Sequence, residues 1–92
     1  MNTFAVVKSA GNASVALNAS TYTPLNAQAC SRVHINNTAT GAVAVLVQQG
    51  GSGASITVPA ATSMSFNGIK DASQLGVLAA SGTPTLSYRW EH

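Results

Sequence analysis

Ser31-Arg32-Val33-His34-Ile35-Asn36 decides how the chain folds. In an extended backbone Val33 and Ile35 fall on one side, and Arg32, His34 and Asn36 on the other. A period of two marks a strand with one face buried and one face in water. Downstream, the cluster Asn37-Thr38-Ala39-Thr40-Gly41 supplies turn residues, so the next strand is expected to return beside this one. That strand, Ala42 to Gln48, has Val43, Val45 and Val47 on one face and Ala42, Ala44 and Leu46 on the other. Both faces are apolar, which places it at the centre of a sheet.

The same two signals, alternation and turn chemistry, parse the rest. Gln49-Gly50-Gly51-Ser52-Gly53 lacks the Gly-Lys-Ser/Thr ending of a phosphate loop and has no helix after it, so it is expected to be a hairpin turn. Ser55 to Val58, the turn Pro59-Ala60-Ala61-Thr62 and Ser63 to Asn67 predict a second hairpin. Asn67-Gly68 is a tight-turn pair, and Ile69 to Gln74 is an irregular connection with room for one helical turn. Leu75 to Ala79 and Thr85 to Glu91 close the series, the last with Leu86, Tyr88 and Trp90 on one face and Ser87, Arg89 and Glu91 on the other.

Toward the N-terminus, Ser14 to Asn18 and the segment around Tyr22-Thr23-Pro24 have edge character, because Pro cannot donate to a ladder. Phe4 to Val7 is a short β-prone run, and Lys8 to Asn12 is expected to be a loop. The expectation is an all-β protein: a small antiparallel β-sandwich or jelly-roll-like barrel of about seven or eight short strands. Residues 1–13 form an N-terminal arm or edge strand, and residues 14–92 form a single domain.

Composition limits what such a domain does. Only 7% of the 92 residues are charged, where about 25% is usual. Ser, Thr, Asn, Gln, Ala and Gly take their place, residues that lose little freedom when a partner covers them. Four separated cations make no basic face for nucleic acid. No stretch approaches a membrane span of about 18 apolar residues, and the N-terminus has no secretory pattern, so synthesis in the cytoplasm is expected.

Chemistry is sparse too. The titratable groups suited to acid–base work are Asp71, Glu91, His34 and His92, with Cys30 as the single thiol. Glu91 and His92 lie at the chain end, where fraying is expected. A nucleophile built from Cys30, His34 and Asp71 would need the fold to converge them, and it predicts a reactive thiol. The plainer reading is a buried Cys30 and a surface His34. No spacing suits a metal, no cofactor is expected, and the chain is read as a non-enzyme. Tyr88 and Trp90 could form a glycan-stacking platform of a carbohydrate- or host-surface-binding module if exposed; the plainer reading puts both in the core.

Several segments together are similar to a known group. Ser31 to Thr38, Gly41 and the valine strand, Gly51-Ser52-Gly53, Thr57-Val58-Pro59-Ala60, Ser65-Phe66 and the closing Leu86-to-Trp90 strand resemble small β-sandwich virion proteins of tailed bacteriophages. Such proteins decorate or cement the head, or sit at the base of head fibres. The resemblance implies a capsid decoration protein on the virion surface, made in the host cytoplasm, with the major capsid protein as partner and a homo-oligomer, a trimer first, as its state. No functional residue is carried across by it. From the residues themselves, the interface is expected at Phe4 and Val6, by strand addition, and at Arg32 and Arg89, as donors on polar strand faces.

Overall fold

The structure, a computed structural model, describes residues 9–37, 43–50 and 53–92. Within them the alternating segments become eight strands: β1 (Ala10–Ala16), β2 (Thr23–Pro24), β3 (Arg32–Asn37), β4 (Val45–Gln49), β5 (Ile56–Val58), β6 (Thr62–Asn67), β7 (Leu75–Ala79) and β8 (Thr85–Glu91). In β3 burial alternates without a break, Val33, Ile35 and Asn37 inside and Arg32, His34 and Asn36 outside. The period read from the sequence is therefore the period of the fold.

The strands form two four-stranded sheets, β1-β8-β3-β6 and β2-β7-β4-β5, and every neighbouring pair is antiparallel. The pairing is nested. β1 lies beside β8, β2 beside β7, β3 beside β6 and β4 beside β5, the wiring of a double-sheet jelly roll. β4 is an inner strand, between β7 and β5, with Val45 and Val47 buried and Leu46 on its half-buried outer face. β1 and β2 are edge strands, and Pro24 sits where a missing N–H costs nothing.

Two expected hairpins do not exist. β3 and β4 lie in different sheets, and so do β5 and β6. The chain crosses the sandwich at each of these connections, and only β4 and β5 are sequential neighbours in one sheet. A turn motif reports that the chain reverses, which a crossing also does. Asn37 anchors one crossing. It is fully buried on β3, and its Nδ2 donates to the carbonyls of Val43 (3.0 Å), Val58 (2.9 Å) and Pro59 (3.2 Å), which precede β4 and close β5. The Pro59–Thr62 turn makes the second crossing. There the Thr62 hydroxyl donates to the Pro59 carbonyl at 2.6 Å, and Ala61 takes a left-handed φ of 63° with its N–H on the Asn37 carbonyl.

Other expectations shift by a few residues. Residues 10–12, expected in a loop, belong to β1 and pair with Arg89 to Glu91. The helical turn is a 3₁₀ turn at Ala72–Gln74, opened by Asp71, whose carboxylate accepts from the Ser73 N–H while the Gln74 side chain reaches back. The Phe4–Val7 strand, including the interface candidates Phe4 and Val6, lies outside the described residues.

Between the sheets lie Val33, Ile35, Leu86 and Tyr88 from one side and Val45, Val47, Val58, Leu75 and Val77 from the other, with Leu17, Leu25 and Ile69 from the connections. At the open edge Trp90 lies across Gly11, its direct partner in the ladder. A Cβ added at Gly11 would stand 2.9 Å from Trp90 Cζ2, closer than carbon atoms tolerate. Gly11→Ala is therefore expected to displace the indole and cost about 1–2 kcal/mol. Because Trp90 is the only tryptophan, intrinsic fluorescence should report both the shift and the lowered urea midpoint; an unchanged spectrum and midpoint would show that the edge yields freely.

Candidate functional site

The nested pairing brings strands distant in sequence into one ladder, and their outward residues form rows across the first sheet. One row is Ala10, Glu91, Arg32 and Asn67; the next is Asn12, Arg89, His34 and Ser65; the third is Ser14, Ser87, Asn36 and Ser63. All are exposed except Glu91, which is half-buried. The face is polar and uncharged over most of its extent, and its charge is gathered at one end.

At that end Arg32 and Arg89 close on Glu91 from both sides. Arg32 donates to Glu91 Oε1 through Nε, at 3.0 Å, and through Nη2. Arg89 Nε reaches Oε2 at 3.4 Å, at the long limit of a hydrogen bond. The Arg32 hydrogen bond, with help from Arg89, holds the Glu91 carboxyl below the usual carboxylate range. Both guanidinium side chains remain about half exposed, at 49% and 47%. His34 Nδ1 and Ser65 Oγ lie 2.7 Å apart in a hydrogen bond whose direction follows the tautomer. A depression of about 170 Å³ opens among Arg32, His34, Ser65, Arg89 and Glu91, and a second, of about 360 Å³, adjoins it and is lined by Asn12, His34, Asn36, Ser87, Tyr88 and Arg89.

Arg32 and Arg89, picked out singly from the sequence, thus stand on one face in adjacent rows. Glu91 is not frayed. It is paired in the ladder on both sides, and even the His92 N–H is tied to the Ser9 carbonyl at 2.9 Å. Ser65 gave no signal of its own in sequence. Only the register of β3 against β6, Arg32 opposite Asn67, puts it beside His34.

The glycan platform and the nucleophile do not assemble. Tyr88 is 2% exposed, packed in the core with its hydroxyl accepting from the Asn26 N–H, so the aromatic pair presents no exposed stack. Trp90 is half-buried beside it. Cys30 is 1% exposed in the core, while His34 is on the outer face. Asp71 caps the 3₁₀ turn, where the N–H and hydroxyl of Ser73 and the N–H of Gln28 keep its carboxyl below the ordinary range. Burial, reinforced by the Asp71 charge, pushes the Cys30 thiol up and so suppresses the thiolate that would react. Native protein treated with iodoacetamide at neutral pH should stay unmodified over a time in which the urea-unfolded chain reacts completely; rapid labelling of the native form would mean that Cys30 is reachable.

Among the described residues no three metal-binding side chains come together, and no helix is long and apolar enough to cross a membrane. The chain matches no protein-family model and none of the curated proteins.

Proposed function

We propose that the chain is a non-enzymatic virion structural protein of the decoration or cement kind carried by tailed-bacteriophage heads. It binds the outer capsid surface through the polar face of the first sheet and stabilises the shell by bridging neighbouring capsomers. The observation that carries this reading is that face: rows of small neutral side chains across four strands with one charged corner. Small polar residues can be covered at low entropic cost and match a similarly polar partner by hydrogen bonds. A ligand that binds only the assembled shell stabilises it by mass action. Jelly rolls also serve as viral capsid and lectin domains, an analogy of fold that assigns nothing alone.

The edges support self-association. β1 (AGNASVA), β5 (ITV) and β6 (TSMSFN) end the sheets without one charged residue, and an unguarded edge pairs readily with another chain. The partners in this reading are the major capsid protein and further copies of the chain, with a trimer as the leading state.

Size-exclusion chromatography with light scattering, followed by co-sedimentation with phage capsids that lack the protein, tests it. Oligomers that saturate the shell at a fixed ratio to the capsid protein are expected. A monomer that stays in the supernatant would overturn the reading.

A further inference from the structure

Of the five charged residues described, Arg32, Lys70, Asp71, Arg89 and Glu91, three stand together on the polar face. Exposed ion pairs add little to stability, so the need to fold does not explain this concentration in so charge-poor a chain. The hydrogen bonds are also incomplete. Glu91 occupies Arg32 Nε and Nη2 and, weakly, Arg89 Nε. Among the described residues the remaining Nη of Arg32 and both Nη groups of Arg89 meet no acceptor. Among the described residues the corner carries two positive charges against one negative, a surplus that one further carboxylate would neutralise.

We propose that the depression between Arg32, Arg89 and His34 is a carboxylate-binding site that takes an Asp or Glu side chain of a protein partner. The proposal rests on the binding face described above and names the chemistry it recognises. Arg89 offers the planar pair of donors that matches a carboxylate, in a charge-assisted hydrogen bond, and His34 supplies another when its outer nitrogen carries the proton. Ser65 on Nδ1 selects that tautomer when it donates. The surroundings favour polypeptide over a polyanion. The neighbouring depression shares Arg89 and His34 with this one and otherwise adds Asn12, Asn36, Ser87 and Tyr88, neutral groups suited to peptide amides, and among the described residues no cation beyond Arg89 extends the charge along it. Nucleic acid or a sulfated glycan would need that continuation.

The test is a ¹⁵N NMR titration of the full chain with a blocked pentapeptide, Ala-Ser-Glu-Ser-Ala, its Gln twin and inorganic phosphate. The Glu peptide should shift Arg89 Nε–H, Ser65, Asn12 and Asn36 and bind about tenfold more tightly than the Gln peptide, roughly the difference one charge-assisted pair makes. Arg89→Gln should lose about that factor without changing the melting temperature, because its side chain is exposed. Glu91→Gln should strengthen binding several-fold, because it removes the carboxylate that competes for both arginines. Equal affinity for the two peptides, weakened binding in Glu91→Gln, or phosphate preferred over the Glu peptide would each overturn the assignment. Capsid co-sedimentation separates the two readings. If the protein sediments and Arg89→Gln sediments equally, the carboxylate site fails and the virion reading stands; if the protein binds the Glu peptide but never sediments, the reverse holds.

Discussion

Replacing Leu86 with Ala is expected to destabilise the protein by about 3–4 kcal/mol, the cost of the lost side chain plus the cavity it leaves. A domain of this size has only about 5–10 kcal/mol in total, so a urea titration should show the midpoint falling by a third or more, with a pre-transition baseline that slopes or disappears. Leu86 has no exposed surface, and its strand, β8, lies between β1 and β3. The neighbours cannot collapse inward, because each is held in register by the ladder on both sides of β8. The same strand carries Arg89 and Glu91 on its other face, so binding of the acidic peptide should fall with the folded fraction and no faster. A loss below 1 kcal/mol would mean that the core around Leu86 repacks freely.

Asn37→Ala is expected to cost about 2–4 kcal/mol although it removes no apolar contact of consequence, because an unsatisfied buried polar group costs about 1–3 kcal/mol. Three carbonyls, those of Val43, Val58 and Pro59, accept from one Nδ2 inside the sandwich. Without it the Val58 carbonyl loses its donor in a buried setting, and those of Val43 and Pro59 lose one in a part-buried setting where the chain crosses between the sheets. Asn37→Leu separates the causes. Leucine restores volume but no donor, so it should be no more stable than the Ala variant in thermal denaturation. Recovery of half or more of the lost stability by Leu would show that the site needs bulk and not hydrogen bonds.

The contrast between these two residues shows how much of the fold was legible. Leu86 could be read directly: Leu86, Tyr88 and Trp90 alternate with Ser87, Arg89 and Glu91, and the fold puts the first set in or against the core. Asn37 could not. It sits in a run of Asn and Thr that has turn chemistry, yet it is the last inward residue of β3 and the staple of a sheet crossing. Local composition cannot separate a reversal within one sheet from a reversal across two, because both require the same backbone bend. The site shows the same boundary. The period of two put Arg32, His34 and Arg89 on polar faces, but their adjacency depends on a register between strands nearly sixty residues apart, and Glu91 joins them only because β8 is paired on both sides. Ser65 was invisible for the same reason.

The nested pairing also sets the order in which the molecule comes into existence. β4 and β5 close a short loop, whereas β1 must wait for β8, with Ala10 opposite Glu91 at the far end of the chain. Bringing distant segments together costs loop entropy that only later contacts repay, so folding is expected to proceed outward from the β4–β5 hairpin and to be slow for its size. Every row of the polar face has its middle residue pair completed by β8. The polar face therefore does not exist in part: until β8 enters between β1 and β3 its rows are broken through the middle, and they close together in one step.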